Sequence, residues 1–231
     1  MPSDYAGRTI RLTAMLVVQK FGGRCVADPK GVKATAAIVA ASVRRGDQVV
    51  VTVSAMGKET DNLLRLASKV SGEPPGRELD VLLTAGGQKA AALLSLALHG
   101  LGIPAEGLTG GEAGILTDGD RLAARVVSVS PARIRAALAR GHVPVVAGAQ
   151  GVAPDGTATF LGRGGSDTTA VALAAGLGAD VCEIFTADPA VVFGARLLRR
   201  IDAGLLFELC SAGCPKLAAL ALLTEAVTQV A

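Results

Sequence analysis

Strands alternating with helices predict an α/β protein with a mostly parallel, doubly wound sheet between helical layers. Three observations carry that prediction. Short apolar runs of strand length recur at residues 15–19, Gln48–Val53, 142–147 and Val181–Phe185. Continuous rather than alternating apolarity is what a strand buried on both faces requires. Stretches of helical period, such as residues 32–44, lie between them. Finally, the 231-residue chain is 50% apolar but only 3% aromatic. Its core is therefore built from Ala, Val and Leu, which suits helices lying tight on a sheet.

The elements follow in order. Residues 15–19 form a buried strand ending at Lys20, followed at once by Phe21-Gly22-Gly23-Arg24-Cys25. A strand that ends in a lysine and two glycines can place an ammonium beside a bound anion, because glycine permits close approach. A helix over 32–44 leads to the strand Gln48–Val53, which runs into Ser54-Ala55-Met56-Gly57. Thr60 or Asp61 then opens a helix through Leu63, Leu64 and Leu66. Glu73-Pro74-Pro75-Gly76 breaks the chain, and two helices follow at 77–85 and 89–98, separated by Gly86-Gly87. Residues 102–117 are short strands and turns, and 124–129 is a further strand. Pro131 fits the first position of a helix that ends at Gly141. Residues 142–147 form a strand closing at Gly148-Ala149-Gln150-Gly151, and a polar hairpin turns about Pro154-Asp155-Gly156.

The stretch from Leu161 to Pro189 organises the rest. It opens with Gly162-Arg163-Gly164-Gly165-Ser166-Asp167, continues as a small-residue helix over about 168–176, and ends in the strand Val181–Phe185. Glycines let backbone N–H groups turn inward, and a helix N-terminus adds positive potential. Ser166 or Asp167 can cap that helix. The result is an anion cradle with one guanidinium, Arg163, placed for a carboxylate or phosphate.

Composition limits the remaining possibilities. The balance of 23 Lys plus Arg against 20 Asp plus Glu is +3. With the basic residues dispersed and aromatics scarce, neither a nucleic-acid partner nor a membrane patch is expected. Residues 1–14 lack the apolar core of a signal peptide and read as a flexible extension, and no apolar run approaches membrane-spanning length. A cytoplasmic protein is expected, with residues 15–231 as one domain. Cys25, Cys182, Cys210 and Cys214 show neither zinc spacing nor a disulfide framework, so no metal is expected. Cys182 reads as core, and Cys210 and Cys214 lack His or Asp partners. His99 and His142, at element ends, read as structural. Glu59, Asp61 and Glu112 read as caps or solvated charges.

Four motifs stand in a fixed order: Lys20-Phe21-Gly22-Gly23, Ser54-Ala55-Met56-Gly57 with Thr60-Asp61, Leu83-Thr84-Ala85-Gly86, and Leu161 to Asp167 with the helix after it. Together they resemble the catalytic domain of bacterial aspartokinases, within the amino-acid kinase family, most closely over residues 15–184. That resemblance implies a three-layer αβα sandwich and ATP-dependent phosphorylation of the L-aspartate side-chain carboxylate. Lys20 would neutralise charge on the moving phosphoryl group, oriented by Asp167. Gly22, Gly23, Gly164 and Gly165 would offer backbone donors to phosphates. Arg163 would grip a substrate carboxylate, and Ser54, Thr60 and Ser166 would line the substrate site. It also implies Mg-ATP wherever kinase chemistry is retained, and a homodimer.

The chain departs from the family pattern at several of these positions. Arg24-Cys25 replaces a Thr/Ser-Ser pair, Gly87 replaces a glutamate, and Ala149 replaces a phenylalanine, which widens the aspartate pocket and removes a counter-charge. Thr186-Ala187-Asp188-Pro189 follows Phe185 directly, without the roughly seven residues (about 20 Å of extended backbone) that help the family hold ATP. The later nucleotide-binding lysine is displaced behind Pro215 as Lys216, and the two ACT regulatory domains that most aspartokinases carry are not expected here. The expected function is an aspartokinase-like protein repurposed to another small anionic, carboxylate-like molecule. Cys25 is then a candidate nucleophile, being next to Lys20 and a helix start. The alternatives are a catalytically silent partner subunit and a still-active aspartate kinase.

Overall fold

The computed structural model describes residues 14–185. The expectations for the N-terminal extension, for Thr186 to Pro189, and for Cys210, Cys214 and Lys216 lie outside the described residues.

The first six elements are β1 (Leu16–Phe21), α1 (Pro29–Arg44), β2 (Gln48–Val53), α2 (Glu59–Val70), α3 (Gly76–Gly100) and β3 (Ala105–Leu108). Then come β4 (Ile115–Thr117), β5 (Val126–Val129), α4 (Ala132–Ala139), β6 (Val143–Ala147), β7 (Gln150–Val152), β8 (Ala158–Phe160), α5 (Gly165–Leu177) and β9 (Val181–Phe185). The main sheet runs β3-β6-β2-β1-β9, with every neighbouring pair parallel. In that register Lys20 of β1 sits between Thr52 of β2 and Ile184 of β9.

Both faces of this sheet are covered, which is why its strands read as unbroken apolar runs. Side chains alternate across a strand. Val49, Val51, Val53, Val143, Val145 and Ala147 therefore point to one side, against Val32, Ala36 and Val39 of α1 and Leu94 and Leu98 of α3. Val18, Val50 and Val146 point to the other, against Ile134 of α4 and Ala170 and Leu173 of α5. This is the three-layer α/β sandwich that the resemblance implies.

Some sequence expectations need correction. A second sheet, β5-β4-β7-β8, contains antiparallel pairs as well as a parallel one, so the described strands form two sheets. The two helices expected around Gly86-Gly87 are one, α3. A Cβ on Gly86 would lie 3.2 Å from Ala55 Cβ and 3.3 Å from Glu59 Cγ, and one on Gly87 would lie 3.1 Å from Gln150 Nε2. These glycines serve close packing instead of breaking the helix, and burial of its Leu face outweighs about 1 kcal/mol of poor propensity at each. At 25 residues α3 is also long and apolar enough to cross a membrane by length and composition, contrary to expectation. Half of its most apolar window is buried inside the protein, as expected of a core helix. Pro131 occupies the cap position of α4, not its first turn, a one-residue shift.

A buried carboxylate ties α3 to the second sheet. Asp80 is 0% exposed. Its Oδ1 accepts from the backbone N–H groups of Leu122 at 3.0 Å and Phe160 at 3.2 Å, and Oδ2 faces Arg121 Nη1 at 3.5 Å. Leu122 has a left-handed backbone, φ 63°, so Asp80 holds a conformation that leucine alone disfavours. Asp80→Ala should cost about 3 kcal/mol, since it strands two amides and a guanidinium. Urea unfolding should show a lower midpoint with an unchanged m-value, and Asp80→Asn, which keeps an acceptor, should lose less.

Candidate active site

A cleft of about 760 Å³ opens beside the C-terminal ends of β1, β2 and β6, where open parallel sheets place ligands. The strand ends lead into turns that hold one another. The Ser54 N–H donates to the Phe21 carbonyl, that of Gly148 to Val53, and that of Gly57 to Gly23. Glycine is required here by space. A Cβ on Gly23 would lie 2.5 Å from the Ala55 carbonyl oxygen, and one on Gly148 would lie 2.8 Å from Ser166 Cβ.

Beside the cleft, Lys20 Nζ meets Asp167 Oδ1 at 2.6 Å, with side chains only 6% and 13% exposed. Asp167 belongs to the first turn of α5, where the helix dipole favours an acid. Far apart in the sequence, the two side chains are brought into contact by the fold.

The helix start differs from expectation. Gly164, at φ 84°, is the N-cap of α5, no side chain caps it, and Ser166 and Asp167 lie inside the helix. The Thr169 hydroxyl instead donates to the Gly165 carbonyl and accepts from the Ala149 N–H at 3.0 Å. Ala149 has φ 62°, so this contact pins a left-handed bend in the cleft wall.

The expected site residues divide into two groups. Gly23, Ser54, Thr60, Gly87, Ala149, Arg163 and Gly164 line the cleft. Gly22, Ser166 and Gly165 stand behind it. A Cβ on Gly22 would lie 3.5 Å from Lys20 Nζ, and one on Gly165 would lie 2.7 Å from Leu161 Cβ. Gly165 therefore permits packing, and the phosphate-facing role expected of it does not follow from its position. The Arg163 guanidinium contacts Asp61 Oδ1 at 3.0 Å across the cleft mouth, in an exposed pair. Cys25 is not among the lining residues. Its thiol faces the Phe185 carbonyl oxygen at 3.7 Å, at the edge of the core, which gives no support to a nucleophilic role.

Sequence reading missed Lys58, Leu64, Leu122 and Phe160, which also line the cleft. No motif marks Leu122, whose place is set by the distant Asp80. The bland readings fit better. Cys182 is buried, and the His99 ring bonds the Ala105 carbonyl at 2.8 Å. Glu59 pairs with Lys89. The Thr109 N–H holds the Glu112 carboxyl below its ordinary range, opposed in part by desolvation and aided by Arg133.

The profile of the amino acid kinase family matches residues 15–230. The aspartokinase of Mycobacterium tuberculosis is 48% identical over 206 residues, which cover 86% of this chain and 49% of that protein. The Thermus thermophilus aspartokinase is 47% identical over 205 residues, covering 86% and 51%. The chain thus spans about half the length of the curated relatives it matches. Among solved structures, aspartate kinase from Synechocystis superposes with a TM-score of 0.65 at 42% identity, covering 86% of this chain and 34% of that one. Aspartokinase III of E. coli, in complex with aspartate and ADP, gives 0.65 at 23% identity, covering 80% and 53%, and supports the fold alone.

The two ion pairs near the cleft should behave differently on mutation. Lys20→Ala removes the cation from a largely buried carboxylate and should cost about 3 kcal/mol. Arg163→Ala breaks an exposed pair and should cost less than about 1 kcal/mol. Urea unfolding of the two variants beside the parent checks the contrast, and equal losses would contradict it.

Proposed function

Since the chain belongs to the amino acid kinase family, we propose that it is an aspartokinase-like protein whose cleft binds a small carboxylate-bearing anion, on the acceptor side of a phosphoryl-transfer site altered from the aspartate pattern. The observation that carries this reading is the Lys20–Asp167 pair, 2.6 Å apart and largely buried, flanked by glycine turns that bring backbone donors close. A scaffold with no ligand has no physical need for a shielded charge pair at the ends of its central strands.

The chemistry asks little more of the protein. In carboxyl phosphorylation, a carboxylate oxygen bonds to the terminal phosphorus of ATP as that phosphorus separates from the bridging oxygen, which leaves on ADP. The nucleophile is already ionised at neutral pH, so no general base is needed, and positioning with charge neutralisation dominates. Lys20 is the ammonium for the moving charge, held in place by Asp167. Gly23 and Gly164, on the lining, offer backbone N–H groups that fit phosphates, whereas the Gly22 N–H already donates to the Phe185 carbonyl, and Mg-ATP supplies the phosphoryl group in the family reaction. Arg163 grips a carboxylate, with Ser54 and Thr60 on the lining beside it and Ser166 behind Gly148. We read the assembly as a homodimer, in keeping with the family resemblance. A second reading, a silent binding subunit, draws on the Asp61–Arg163 pair, because the cleft's charges there already satisfy each other.

Thermal unfolding with succinate, L-aspartate or Mg-ATP tests the proposal. A ligand at about 100 times its Kd adds about 2.7 kcal/mol to stability, which for a chain of this size raises Tm by about 5–10 °C. At least one of the carboxylates should do so, and Lys20→Met should abolish any shift with Mg-ATP. No shift with any of them would overturn the reading, and a shift without phosphoryl transfer would favour the silent subunit.

A further inference from the structure

The charged and apolar parts of the cleft point to a substrate more specific than a small anion. We propose that the cleft selects a carboxylate bearing an uncharged, apolar substituent where an amino acid carries its ammonium. This rests on the reading of the cleft as a carboxylate site.

The charged groups come first. Among the described residues, the lining carries the cations Lys58 and Arg163 and the single carboxylate Asp61. Asp61 already accepts from Arg163 at 3.0 Å. The lining is thus net positive, and its one acid is engaged. An anion gains at such a rim, whereas an ammonium would meet net like charge, and the one carboxylate of the lining already faces Arg163. A desolvated charge without a partner is costly.

The apolar wall provides the other half of the argument. Leu83, on α3, lines the cleft beside the closely packed Gly87. Leu122 and Phe160 line it too, held by the same Asp80 oxygen one turn before Leu83 and Thr84 on that helix. Leu64 and Leu122 remain 39% and 36% exposed. Two large apolar side chains turned to an open cleft gain by covering. A cleft of about 760 Å³ also falls among sites for drug-sized ligands, about 300–1,000 Å³, with room for an apolar arm beyond a four-carbon diacid.

Titration calorimetry of the full chain with three probes at fixed ionic strength tests the inference: L-aspartate, succinate and benzylsuccinate. Benzylsuccinate should bind at least tenfold more tightly than L-aspartate, with succinate between them. Leu122→Ala should weaken benzylsuccinate at least fivefold and leave succinate within twofold. L-Aspartate binding as tightly as benzylsuccinate to the parent protein would overturn this inference and leave the carboxylate site standing. Failure of all three anions to bind would overturn the carboxylate reading, and this inference with it.

Discussion

An ammonium placed inside a parallel sheet has to be neutralised, and much of this structure follows from that constraint. Lys20 is the penultimate residue of a strand paired on both sides, with β2 and with β9, and is only 5% exposed. Its charge cannot reach water freely, so a carboxylate must come to it. Asp167 does so at 2.6 Å, and this fixes where α5 begins and how it crosses the strand ends. The tight sequence Gly162-Arg163-Gly164-Gly165 is the backbone cost of that start. Gly162 and Gly164 both take positive φ, and Gly165 sits where a side chain would collide with Leu161.

The same constraint separates the cleft into two regions with different physical character. Near Lys20 the surroundings are glycine backbone and paired charge, an environment that stabilises developing negative charge without reorganisation. Farther along, on the face of α3 that carries Asp80, Leu83 and Gly87, the lining is leucine, glycine and Phe160. Asp80 links these regions to the fold, because its buried carboxylate holds Leu122 and Phe160 against α3. The charged corner at Lys20 and the apolar wall are thus held by different elements.

The layered α/β fold was legible because both faces of its sheet are buried, so apolar runs such as Gln48–Val53 stand out in the chain. Lys20, Gly23, Ser54, Arg163 and Asp167 were legible because glycines and polar residues cluster just after those runs. Other features were hidden for physical reasons. Gly86-Gly87 reads locally as a break, and only the packing of Ala55, Glu59 and Gln150 against α3 shows why the helix continues. The separate sheet of β5, β4, β7 and β8 is built from strands of three or four residues, too short for periodicity to register. The N-cap expected of Ser166 or Asp167 is Gly164, in the left-handed region and with no side-chain cap, while the Thr169 hydroxyl ties the helix to Ala149, a long-range partner that the local sequence does not show. Partners brought together by long-range folding, such as Arg163 with Asp61, leave no local trace.

The central claim is that the buried Lys20–Asp167 pair is kept to receive phosphate charge. Titration with tripolyphosphate, which presents that charge without a base or sugar, tests it most directly when the parent protein and Lys20→Met are compared. The account predicts saturable, salt-sensitive binding by the parent and at least a tenfold loss in the variant. Equal affinity in the two, or no binding by the parent, would contradict it.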